Sequence, residues 1–480
     1  MTFTSTILRN IKVLTAAQIV ASIAGLFSSA LLARALGTDG FGVLGFGTAF
    51  LALLGIVASL SMDMAGARAI ARDPNEAGSI TSPIIGLRLT LSVAAYVAFI
   101  LIVFSLDRNQ SEKTVLLIQA GGIFVSVFVL DFVFQGLERM GINGLRQIAT
   151  ALLTLISIII FVRSPDDLMT AAIIPVVAGA IAVGSVWLYA RRNVNGLGLS
   201  FAPDKWRHIL SVALPMAVSG VMHTIIFNTD AVMLGLMSTN EQTGLYVSAF
   251  KIVGLTMIPV GLLAAPFFPS LSAGWDDQQL RQDRSKSFAI SVLILSLPLV
   301  IFIALFPDLI LRILYGSAFS EAGPTLLILM ASMVMMHLRI VYGNPLLAWN
   351  DERFHMYATL AGAILNVILN FIFIPKYGII GAAYASLISQ SVITLGVAYK
   401  FYTKTSTFHA GVIFRACLCM AAGVAGVWGV SFELGQASDM AISDSIITLA
   451  VNGAIFGGIF LLAVFVIFRS KLGQILNPDR

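Results

Sequence analysis

Charge is what this sequence has least of. Only 11% of its 480 residues are Asp, Glu, Lys or Arg and 58% are hydrophobic, whereas a soluble domain carries about 25% charged residues. A water-exposed surface cannot be built from so few charges, which excludes a soluble enzyme or binding module. Catalytic and nucleotide-handling signatures are missing too. No lysine follows a glycine, so there is no Gly-Lys-Ser/Thr phosphate loop, and none of the five histidines begins a His-Glu-x-x-His pair. No metal, other cofactor or enzymatic activity is expected, and any energy must come from a gradient or a partner. The only two cysteines, Cys417 and Cys419, diverge by about 200° on a helix. That suits neither a bridge nor a shared metal, so they are read as packing or lipid-facing residues.

What is present is a series of long apolar runs. A membrane-crossing helix needs roughly 20 mostly apolar residues, because its backbone amides find no water in hydrocarbon and must be satisfied within the helix. Runs of that length fall at 11–36, 41–62, 80–106, 113–136, 145–163, 168–190, 207–236, 243–268, 287–306, 321–349, 355–375, 379–402, 410–431 and 445–468. The expected fold class is therefore all-α integral membrane, with helices 1 to 14 in that order and no gap large enough for a soluble domain. The first run lacks a small-residue cleavage site and leads straight into others, so it reads as helix 1 and not as a removable signal.

Orientation follows from the Lys/Arg bias of the short loops. With both termini cytoplasmic, twenty-one of the 29 basic residues fall on the inner side, six on the outer, and Lys251 and Arg339 inside helices. The same bias accounts for the net charge of +5: a cytoplasmic face meeting anionic membrane lipids needs no nucleic acid as partner.

Two echoes point to an internal repeat. Gly42-Val43-Leu44-Gly45 and Gly244-Leu245-Tyr246-Val247 each begin a helix after an outer loop, and Glu138-Arg139 and Glu352-Arg353 precede helices 5 and 11. They suggest segments 1–204 (helices 1–6), 205–404 (helices 7–12) and 405–480 (helices 13 and 14 with the C-terminus). Prolines 175, 215, 259, 266, 298 and 345 fall inside helices, where each removes a backbone donor and favours a kink. Pro215, Pro259 and Pro266 gather in helices 7 and 8.

Polar residues inside helices are the candidate functional groups, since each costs about 2.5–3.5 kcal/mol at mid-bilayer unless it faces a cavity or a partner. Asp230 and Lys251 sit at matching depths about the turn near Asn240, as an ion pair or as substrate contacts, and His223, Phe227 and Asp230 share one helical stripe. Asp131 and Gln135, one turn apart on helix 4, suit gating or ion coupling. On helix 10, Arg339 is assigned to a cavity, being always charged, and His337 to a neighbouring helix. Arg34 and Arg88 near helix ends either bind a ligand or snorkel to headgroups. Asn366 and Asn370 on helix 11 either contact sugar hydroxyls or tie helices together.

Several local motifs occur in order along most of the chain: Leu32-Ala33-Arg34-Ala35-Leu36-Gly37, Asn228-Thr229-Asp230, Gly244-Leu245-Tyr246 with Lys251, Leu314-Tyr315-Gly316, and the stretch from Asn366 through Ile374-Pro375, Tyr377-Gly378 and Gly381-Ala382-Ala383 to Gln390. On these the sequence resembles the polysaccharide flippase family, of O-antigen type, within the multidrug/oligosaccharidyl-lipid/polysaccharide exporter superfamily. The resemblance implies two six-helix lobes around a central cavity, with helices 13 and 14 forming a lateral groove. It further implies alternating-access movement of a polyprenyl-diphosphate-linked oligosaccharide to the outer leaflet of a bacterial plasma (inner) membrane, with a polysaccharide polymerase complex as a further partner. Arg34, Arg88, Lys251 and Arg339, with Asn366 and Asn370, are then the candidate substrate contacts, and Asp131 and Asp230 the gating or ion-coupling acids. A multidrug or cation antiporter of the same superfamily would stop at twelve helices. A lipid II flippase shares fourteen but not these motifs, and a membrane glycosyltransferase or polymerase would need a catalytic carboxylate or large outer loop that is absent.

Overall fold

The computed structural model describes residues 3–273, 277–434 and 442–476. Among them every regular element is helical. Twelve helices are long and apolar enough to cross a membrane, and two of these contain an internal break. At 1.5 Å per residue, the 57-residue run Phe3–Ser59 would reach about 85 Å against a hydrocarbon core of about 30 Å. It breaks at Gly37, whose φ of 70° is open to glycine without the penalty a Cβ would bring. Glu352–Thr405 breaks likewise at Gly378, φ 56°, and there the chain reverses: a Cβ on Gly362 would strike Ile393, and one on Gly381 would strike the carbonyl of Phe373. Counting each broken run as a pair gives the fourteen helices expected.

Some expected helices are less regular than their hydropathy. Helix 4 is three pieces, Gln110–Ala120, Gly122–Val127 and Asp131–Gly136. Asp131 and Gln135 stay one turn apart, but in a short helix that Asp131 opens after a non-helical Leu130 and not in a continuous helix 4. Helix 8 is divided into Asn240–Thr256 and Ile258–Ser272. Pro259 begins the second piece, where its missing N–H breaks no helical bond. Pro175, Pro298 and Pro345 remain inside continuous helices.

The chain forms two compact units, Met1–Val247 and Ser248–Arg480, divided within helix 8. In the first unit one apolar core gathers Met62, Ile70, Ile85, Phe132, Phe134 and Ala190, and a second gathers Leu36, Leu44, Val115, Ile158 and Ala171. The repeated glycine segments meet each other here. A Cβ on Gly42 would lie 1.9 Å from the Asn240 carbonyl oxygen, and one on Gly244 would lie 2.0 Å from that of Thr38. The contact is reciprocal: the two added Cβ atoms would also stand 2.9 and 3.0 Å from the other glycine's amide nitrogen.

In the second unit Trp349 stacks on Phe401 at 5.8 Å and donates its indole N–H to the Leu271 carbonyl at 3.0 Å. Helices 13 and 14, Ala410–Leu434 and Ile442–Leu476, interlock where Gly423 meets Phe456 and Gly426 meets Ile459. Phe456 reaches Phe302 of helix 9 at 5.9 Å. Cys417 is exposed and Cys419 buried, both free thiols.

Candidate functional site

Pairing separates the charged residues of the helices into two classes. Arg88 is buried at 3% exposure. It does not snorkel: its guanidinium pairs with Asp63, lies 5.2 Å over the Phe132 ring and donates to the Val129 carbonyl at 3.4 Å. The Asp131 carboxylate is gripped by Arg146, whose Nε and Nη2 reach its two oxygens at 2.8 and 2.5 Å. This two-pronged fork of parallel hydrogen bonds is the strong form of an arginine–carboxylate pair. Asp230, 1% exposed, accepts a 2.6 Å hydrogen bond from the Tyr246 hydroxyl. Arg34 is exposed, and the side chain of His223 lies outside the described residues.

A further cluster in the first unit escaped the sequence reading. Arg108, placed among the outer loop charges, donates to Glu112 at 3.0 Å, to Asn240 Oδ1 at 2.7 Å and to the Gly235 carbonyl at 2.5 Å. Its guanidinium also stands 4.7 Å over the Phe46 ring. Asn109 caps the Gln110–Ala120 helix by accepting from the Glu112 N–H at 2.8 Å, which holds Glu112 in place. The segment before helix 4 is thereby fastened to the turn between helices 7 and 8. A lone arginine in a polar loop carries no sequence signal of this role.

In the second unit Lys400 and Lys404 pair with Asp351 at 3.6 and 3.1 Å, and two further cations stand within helices. Arg339 is 7% exposed, and neither it nor Lys251 takes part in the ion pairs made by Arg88, Arg108, Arg146, Lys400 and Lys404. Lys251 is exposed. One turn beyond Arg339, Gly343 leaves room for the His355 ring, whose Nε2 would stand 3.0 Å from an added Cβ. His337 turns to the neighbouring helix, as its position two residues from Arg339 implied: its ring nitrogens lie 2.6 Å from the Met333 carbonyl and 3.3 Å from that of Thr256. Asn366 and Asn370 are buried, and the Asn370 amide donates to Asn366 Oδ1 at 3.2 Å. They form an internal amide pair within helix 11. Among the described residues no cluster of three His, Cys, Asp or Glu could hold a metal.

A cavity of about 410 Å³ opens in the first unit between the end of helix 2 and helix 7. Among the described residues its polar lining is Ser59, Ser61, Thr224 and Asn228.

Comparison with known proteins adds the following. The family model described as "Polysaccharide biosynthesis protein" matches residues 7–275. A probable low-salt glycan biosynthesis flippase, Agl15, of Haloferax volcanii is 31% identical over 204 residues, 38% of this chain and 43% of that protein; the match thus spans less than half of that relative. A putative O-antigen transporter of Shigella flexneri is 23% identical over 369 residues, covering 73% of this chain and 87% of that protein. Among solved structures, the lipid II flippase MurJ in an inward closed conformation superposes with a TM-score of 0.73 at 15% identity, over 96% of this chain and 99% of that one. At that identity the likeness speaks for the fold.

Proposed function

The chain belongs to the polysaccharide biosynthesis protein family, and from that premise we propose that it flips a polyprenyl-diphosphate-linked oligosaccharide across a plasma membrane by alternating access, without catalysing a covalent reaction. The sugar chain leaves from the cytoplasmic leaflet and arrives on the outer one, where a polymerase takes it up. Both termini are cytoplasmic in this reading, and Asp230, held by Tyr246, is the acid available for ion coupling.

The observation that carries the reading is Arg339. Burying a guanidinium without a counter-charge is costly, and a buried cation in a membrane helix marks a ligand pathway by default. A diphosphate is a matching anion, because guanidinium donates two parallel hydrogen bonds to phosphate oxygens where a lysine ammonium acts as a point charge. Lys251 supplies a second cation in the same unit, and a lipid tail can stay in the bilayer throughout.

The test measures membrane abundance and surface polysaccharide together in Arg339→Ala and Arg339→Lys. A headgroup role gives normal abundance with lost polysaccharide in the alanine variant and partial loss in the lysine variant. Unchanged surface polysaccharide in a normally abundant Arg339→Ala protein would remove the residue from the mechanism.

A further inference from the structure

The cavity between helices 2 and 7 differs in kind from the cationic positions of the second unit. We propose that it is a carbohydrate subsite that receives an uncharged sugar of the cargo; this rests on the flippase reading above.

Its size is right for a small polar group: about 410 Å³ lies within the roughly 300–1,000 Å³ of ligand pockets in general. Among the described residues, its lining contains no ionisable side chain. A diphosphate asks for cations and donors, and the described lining residues give no cation. A sugar hydroxyl both donates and accepts, and the lining does both as well. The Thr224 hydroxyl donates to the Gly220 carbonyl at 3.0 Å, which leaves its oxygen free to accept. One amide hydrogen of Asn228 goes to the Thr224 carbonyl at 2.9 Å, and its side chain retains a second hydrogen and a carbonyl oxygen. Ser59 and Ser61 add two hydroxyls from the opposite wall.

The backbone holds the space open. A Cβ on Gly55 would meet nothing within 4 Å, and one on Gly220 would only approach Ser61 Oγ at 3.5 Å. Helix 2 ends at the cavity with Leu60 and Ser61 both left-handed, φ 39° and 56°. This conformation is unfavourable for residues bearing a Cβ and collects at ligand sites. It turns the chain so that Ser61 faces Gly220.

Two probes separate the sugar from the lipid: polyprenyl diphosphate alone, and polyprenyl diphosphate bearing one N-acetylglucosamine. Binding of each to the purified full-length protein is measured for wild type, Gly55→Leu and Asn228→Ala. The wild type should prefer the glycosylated probe by about tenfold, the worth of one or two net hydrogen bonds. Gly55→Leu, which grows into empty space, should abolish that preference and leave affinity for the bare lipid unchanged. Asn228→Ala should reduce it several-fold and decides the matter should the leucine variant fold poorly. A wild type that binds both probes equally, or variants that keep the full preference, would overturn the subsite. Failure of the wild type to bind either lipid would instead overturn the flippase reading.

Discussion

His409 lies between helices 12 and 13, outside the membrane-spanning segments, and makes the folded state sensitive to acid. Its Nε2 is 2.9 Å from Ser285 Oγ, and its ring meets Phe401 edge-on at 5.4 Å. Burial, followed by the Lys286 charge, pushes its pKa down from 6.5 to about 4. The unfolded chain therefore takes a proton below pH 6.5 that the folded chain refuses until about pH 4. The stability this supplies is complete above pH 6.5 and is lost as pH falls through that window. At about 1.36 kcal/mol per pH unit the loss is at most about 3 kcal/mol, reduced by whatever solvent reaches the ring. The perturbation is His409→Gln, which can still bond Ser285 but does not titrate. Unfolding of the purified protein in detergent is followed between pH 4 and 8 for both proteins. Carboxylates common to the two cancel in the difference, so the variant should lose less stability on acidification than wild type. Parallel stability curves would refute the reasoning.

Arg108→Ala removes a half-buried guanidinium from Glu112, Asn240 and Gly235; breaking such a pair costs up to about 3 kcal/mol, read as a lowered unfolding temperature in detergent, with the exposed Arg192→Ala as the control expected to change little. Gly42→Ala and Gly244→Ala each drive a Cβ into backbone at about 2 Å and should lower membrane abundance sharply, whereas Gly55→Ala should be tolerated; equal abundance of all three would contradict the close approach. Reporter fusions after Asn195 and Arg480 should report cytoplasm and fusions near Asn240 and Gln436 the outside, and an outer C-terminus would refute the fourteen-helix count.

What could be read from the sequence divides along the range of the interactions. Helix number was legible because each span satisfies its own backbone, so the signal lies within about twenty consecutive residues. The reversal at Gly378 was legible for a similar reason, since a glycine after Ile374-Pro375 and Tyr377 allows a conformation that neighbouring side chains resist. The breaks in helix 4 were not, because Gly121 and the Phe128–Leu130 segment are apolar enough to pass as helix. Partners were hardest. Arg88 finds Asp63 across 25 positions, and Arg108 finds Asn240 across 132, distances over which one sequence gives no pairing information. Asp230 was singled out correctly as a buried acid, yet its hydrogen-bond donor proved to be Tyr246, which had entered only as part of a glycine-led motif. The echo at Gly42 and Gly244 was visible as a repeat, but its meaning as a reciprocal contact required the fold.

The central claim is that this chain moves a lipid-linked oligosaccharide between leaflets. Its most direct test is to delete the gene, extract the membranes and determine which lipid-linked saccharide accumulates and on which leaflet. The account predicts a polyprenyl-diphosphate-linked oligosaccharide accumulating on the cytoplasmic side, reversed by the wild-type gene and not by Arg339→Ala. Normal leaflet distribution of every lipid-linked saccharide in the deletion strain, or accumulation of lipid II alone, would contradict it.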